Sequence, residues 1–135
     1  MNVIRRVQGE DIIIIEGNEW KGPGCCFSLD TCHAFASNHW NGENLNEFRK
    51  KGEELGYFNH LKAIHFNNSK YPAGSGKDRH ANIFNRGFIT EKQFDQLVNA
   101  ESFRKLPFIL ETPSDEGIEH HEEIELLINR WGMLQ

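Results

Sequence analysis

A chain of 135 residues with 38% hydrophobic side chains holds enough apolar material for one domain with a real core. Its net charge of −5 gives no basic footprint for nucleic acid, although bound divalent cations would reverse that charge locally. No run approaches the roughly 18 apolar residues a membrane span needs, and no signal-peptide pattern opens the chain. The three cysteines, Cys25, Cys26 and Cys32, follow no zinc-ribbon spacing. They read as reduced, buried thiols of an intracellular protein that is not secreted.

Residues 11–16 read as a β-branched buried strand closed by an acid, Glu16. A turn-rich connection over 18–24 follows, with Gly22-Pro23-Gly24 as punctuation. Residues 25–30 are a second strand. Asn44 is placed to cap a helix over 45–55 whose Leu45, Phe48 and Leu55 share a face, and Gly56 ends it. A third strand spans 61–66, and 67–87 is a long polar loop of the kind that carries function. Thr90 starts a short helix to residue 98 with Phe94 and Leu97 inward. Residues 108–111 follow Pro107 as a fourth strand. The closing helix, 119–131, carries Ile124, Leu127, Ile128 and Trp131 at helical spacing. His120 and His121 open it among acids and read as a solvated face.

Strands alternating with helices imply parallel βα units with right-handed crossovers. The expected fold is a single α/β domain over residues 1–135: a partial (β/α)8 barrel with about four parallel strands and flanking helices. A full barrel takes roughly 250 residues. A half leaves sheet edges that proteins cover or pair, which predicts self-association, a missing amino-terminal half, or a smaller open sheet. Metal-ligand residue types fall at or just past the strand ends: Asp30 and His33, His65, Asp78 and His80, and Glu111. Such side chains meet on one face, and a mixed nitrogen and oxygen set with open positions suits catalysis. Asp-x-x-His or Asp-Arg-His alone is weak and commonly ordinary polar surface. Glu111 closing an apolar strand is stronger, because carboxylates are seldom buried without a partner.

Four strings are more specific than this spacing. They are Leu29-Asp30-Thr31-Cys32-His33-Ala34-Phe35-Ala36, His65-Phe66-Asn67-Asn68-Ser69-Lys70, Gly74-Ser75-Gly76-Lys77-Asp78-Arg79-His80 and Ile109-Leu110-Glu111-Thr112-Pro113. In order and separation they resemble the carboxyl-terminal half of endonuclease IV, the zinc-dependent apurinic/apyrimidinic endonucleases of base-excision repair, built on a xylose-isomerase-like TIM barrel. The resemblance implies a phosphodiesterase that acts on abasic double-stranded DNA, cutting 5′ to the lesion through water activated by zinc, with only partial or weak activity expected of this half alone. It implies that Asp30, His65 and Glu111 share one zinc while His33, Asp78 and His80 share another. Glu16 resembles the family's bridging glutamate, and with Glu111 it is the expected catalytic carboxylate pair. Two zinc ions are expected here against three in the complete family site, because two amino-terminal histidine ligands have no counterpart. The family has Asp where Asn68 stands and glycine where Phe84 stands. Lys70, Lys77 and Arg79 read as phosphate contacts or as a solvated loop. Two other readings stay open: a metal-dependent sugar isomerase or epimerase of the same barrel superfamily, and a non-catalytic zinc- or DNA-binding remnant. Asp78-Arg79-His80 argues against the first.

Overall fold

The computed structural model describes residues 2–3, 14–16, 26–84, 86–114 and 117–132. Strand β1 (Asn2–Val3) is followed by β2 (Ile14–Glu16), β3 (Cys26–Asp30), β4 (Leu61–His65), β5 (Asn68–Ser69), β6 (His80–Ala81) and β7 (Phe108–Leu110). The helices are α1 (Thr31–Ala36), α2 (Leu45–Glu54), α3 (Glu91–Asn99), α4 (Glu101–Arg104) and α5 (His120–Trp131), with a 3-10 turn over Tyr57–His60.

One five-stranded sheet runs in the order β1-β7-β4-β3-β2. The four expected parallel strands are β2, β3, β4 and β7, each beside the next in sequence, as successive units of a partial barrel must be. The expected sheet did not include β1, which pairs antiparallel to β7, Asn2 against Leu110 and Val3 against Ile109. Residues 11–13, the whole 18–24 connection and Cys25 lie outside the described residues. Between β3 and β4 the register places Asp30 beside His65, and between β4 and β7 it places His65 beside Ile109. That register brings the carboxyl ends of three strands level. A one-residue slip would turn every ligand to the opposite face.

Local chemistry explains the helices. Thr90 and Gln93 form a reciprocal capping box at the start of α3, satisfying two otherwise orphaned N–H groups. Gly56, at φ 70°, takes the left-handed position after α2 that stops it. Asn44 occupies the cap position of α2, but its side chain bonds Asn41 and His39 in the preceding turn and none of the helix N–H groups. Leu55 leaves the expected apolar face and is exposed. Gly52 is buried on α2 instead, because a Cβ there would come within 2.6 Å of the Phe58 ring. The loop over 67–87 is not structureless, since β5 and β6 pair antiparallel inside it.

Phe66, just past β4, sits at the centre of the core. Its ring meets Phe94 of α3, Phe108 of β7 and Trp131 of α5 edge to face. Phe84 stacks on Trp131 with the ring centroids 5.5 Å apart, which gives it a packing partner. The helices thus lie against a sheet whose strand ends stay free for polar groups.

Candidate metal centre

Asp30 does two jobs. It ends β3 and caps α1, its Oδ1 accepting from the N–H groups of Cys32 at 2.9 Å and His33 at 3.2 Å. That fixes the carboxylate and turns Oδ2 toward His80 Nε2, 3.2 Å away. Burial by itself would raise the Asp30 carboxyl, but the His80 hydrogen bond and charge, with the His33 N–H and Asn67, hold it below the usual carboxylate range. His80 is pushed up to about 9, chiefly by the same Asp30 bond against a desolvation that opposes it. Its other ring nitrogen, Nδ1, lies 3.1 Å from the Glu111 carbonyl.

His65 is buried at the end of β4, and its Nδ1 meets Glu111 Oε1. Asn67, also buried, joins these parts. Its Nδ2 donates to Asp30 Oδ1 and its Oδ1 accepts from the Glu111 N–H at 3.0 Å. Thr31 Oγ1 donates to the Asn67 carbonyl at 2.6 Å and accepts from the Asn67 N–H at 2.9 Å. The sequence reading gave Asn67 no role. Its one signal is an amide directly after a buried strand, where a polar side chain needs partners.

Ligand atoms of Asp30, His65 and Glu111 all lie within 4.8 Å of one another, as do those of Cys32, Asp78 and His80. His33, 54% exposed, joins the second group through Asp78, Nδ1 to Oδ2 at 3.1 Å. Asp78 Oδ1 lies 3.7 Å from His80 Nε2, buried and without a hydrogen-bond partner. Cys32 was not an expected member. Burial, then the Asp78 and Asp30 carboxylates, push its thiol far up, and Sγ lies 3.4 Å from the Arg79 carbonyl. It stays a protonated thiol. The remaining donors are imidazole nitrogens and carboxylate oxygens. With the bare Asp78 oxygen and the close His65–Glu111 approach, they fit a borderline divalent cation such as zinc.

Glu16 ends β2, its backbone level with Ser28 of β3; its side chain falls outside what is described. Lys70, Lys77 and Arg79 are exposed on the loop that carries Asp78 and His80, Lys77 Nζ standing 4.7 Å above the Tyr71 ring. Arg79 bonds the Asp78 carbonyl at 2.9 Å. His121 is exposed beside Glu119, as a solvated face requires. His120 departs from that reading: it is half-buried, with Nε2 2.6 Å from the Thr112 carbonyl.

A cation that binds His80 must displace its proton, which is held at pH 7 when its pKa is about 9. Zinc affinity is therefore expected to rise about tenfold per pH unit from 7 to about 9 and then level off. Competition with a chromophoric chelator measures this; a flat profile would mean that His80 is not both protonated at pH 7 and a ligand.

The family model described as a xylose isomerase-like TIM barrel matches residues 14–130. A probable endonuclease 4 of Symbiobacterium thermophilum is 41% identical over 98 residues, 73% of this chain and 35% of that protein. A probable endonuclease 4 of Sulfurihydrogenibium sp. is 43% identical over 116 residues, 84% of this chain and 40% of the relative. Among solved structures, endonuclease IV from Thermus thermophilus matches with a TM-score of 0.66 at 25% identity, over 79% of this chain and 38% of that one. The chain thus spans well under half the length of these relatives. A family match that runs from β2 into α5, on a sheet with the strand order of successive barrel units, means that the chain belongs to the xylose isomerase-like TIM-barrel family.

Proposed function

We propose that this chain is the carboxyl-terminal half of a zinc-dependent abasic-site endonuclease that cuts the phosphodiester 5′ to the lesion, and that the half alone is partly or weakly active. The observation that supports this best is the His80 ring, with Nε2 on Asp30 and Nδ1 on the Glu111 carbonyl, which couples the two ligand groups. Asp30, His65 and Glu111 would hold one zinc and His33, Asp78 and His80 another. Glu16 would join them from β2 as the bridging carboxylate, and Glu16 and Glu111 would be the catalytic pair. When bound, zinc would lower the pKa of its water to about 7 and polarise a phosphoryl oxygen.

The chain's own residues do the rest. Asn67 and the α1 cap fix the Asp30 carboxylate, and Asn67 also fixes the Glu111 backbone, which limits reorganisation of the ligand groups. Lys70, Lys77 and Arg79 would meet the phosphate backbone from the exposed loop, positioning the duplex without reading its sequence. The relatives' names, among them an apurinic-apyrimidinic endonuclease 1 of Plasmodium falciparum that is 40% identical over 104 residues, agree with this substrate.

Elemental analysis after exhaustive dialysis, followed by incision of a duplex with one abasic site, tests the reading. Retained zinc and a nick leaving a 3′-hydroxyl, both diminished by Asp78→Ala, are expected. Zinc retained without any nick would make the chain a non-catalytic remnant. No zinc, or sugar isomerisation in place of incision, would overturn the proposal.

A further inference from the structure

The acid-rich start of α5 hides one acid that does not face water. Glu123 is fully buried. Its Oε1 accepts from Thr112 Oγ1 and from Asn82 Nδ2 at 3.1 Å, and its Oε2 accepts from the Ile83 N–H at 2.7 Å. Asn82 Nδ2 also donates to the Pro113 carbonyl at 2.8 Å. One turn earlier on α5, His120 reaches the Thr112 carbonyl. The helix therefore holds two separate segments, 82–83 and 112–113, through one carboxylate.

Those segments adjoin the ligands. Asn82 lies two residues past His80, and Thr112 directly follows Glu111, whose carbonyl receives His80 Nδ1. We propose that Glu123 is a positioning residue that sets the His80 ring and the Glu111 backbone for metal binding, an inference that rests on the metal-centre reading above. An acid buried for stability alone is a poor device, because a packed apolar side chain of similar volume is commonly neutral or better. Three convergent donors make it useful for geometry instead. They leave the carboxylate no freedom, and groups that orient a ligand from behind tune its affinity strongly.

The test uses the full chain with Glu123→Gln and Thr112→Val, and cobalt(II) as a spectroscopic substitute for zinc. Glu123→Gln turns one acceptor into a donor facing donors; Thr112→Val removes one donor and keeps the shape. Both variants are expected to keep the far-UV circular dichroism of the parent. Cobalt affinity should fall roughly 10- to 100-fold, with shifted visible bands. In the metal-free chain, the His80 ring resonances in a long-range proton–nitrogen spectrum should move. A purely structural role would lower stability and leave the bands and resonances in place. Unchanged cobalt affinity, bands and His80 resonances in a folded variant would overturn the proposal, and Thr112→Val decides if Glu123→Gln fails to fold. If the parent chain takes up no cobalt, the metal-centre reading fails separately. The metal-free His80 spectrum then decides for Glu123: displaced resonances uphold its control of the ring, and unmoved ones end it.

Discussion

Asp30→Ala is expected to destabilise the metal-free chain by about 4 kcal/mol near pH 6 and to abolish metal retention. Two losses combine. The α1 cap bonds to Cys32 and His33 disappear, worth about 1 kcal/mol. His80 also loses the partner that keeps it charged in a largely buried place; breaking such a pair costs about 3 kcal/mol or more. The pH dependence follows from the two shifts. His80 has a folded pKa, about 9, above its ordinary 6.5, so its contribution is complete below about 6.5 and is lost as pH rises through about 9. Asp30 is shifted down, so its contribution is present above its ordinary 3.8 and is lost as pH falls through its lowered value. The penalty of Asp30→Ala should therefore be greatest between these limits and shrink to roughly the 1 kcal/mol of the cap above about pH 9.5. Urea unfolding at pH 6 and 9.5, with chelator present, reads this. An equal penalty at both would mean that the pair with His80 contributes nothing.

Asn68→Asp should cost about 4 kcal/mol, although the resemblance to endonuclease IV implies aspartate at this position. Asn68 is fully buried, and its amide is used at both ends. Nδ2 donates to the carbonyls of Ile83 at 2.9 Å and Ile89 at 3.0 Å, while Oδ1 accepts from the N–H groups of Ser69 and Ile89. A carboxylate keeps the accepting side and sets a charged oxygen against two carbonyls on the other. Gly87 leaves no room to relax, since a Cβ there would come within 2.5 Å of the Ser69 carbonyl and 2.6 Å of the Asn68 side chain. Burial beside carbonyls raises the pKa of the introduced carboxyl in the folded state. The deficit should thus shrink as pH falls toward and below its unfolded value of about 4 and be complete above the raised folded value. A melting temperature within a degree or two of the parent at pH 7 would rule out this account.

Much of the fold was legible because it is encoded locally. Thr90 with Gln93 and Gly56 mark helix boundaries by backbone hydrogen-bonding rules that need no tertiary context. The runs around Leu29, Ile64 and Ile109 carry the buried apolar side chains that strands of a covered parallel sheet need. The strings at the strand ends carried the family resemblance. Local rules failed where a partner far along the chain decides. Asn44 turned to Asn41 and His39, the loop over 67–87 closed on itself through β5 and β6, and Leu55 was left in solvent when Phe58 took the place beside Gly52.

The alternation of strands and helices, and the placing of Asp30, His65 and Glu111 at strand ends, are encoded at short range, because strand periodicity and capping act over a few residues. Folding alone sets His80 between Asp30 and the Glu111 carbonyl, lets Asn67 bind both, and buries Glu123, among solvated acids, on Asn82 and Thr112. Those contacts join residues 11 to 50 positions apart, and a polar side chain is buried only where such distant donors converge on it.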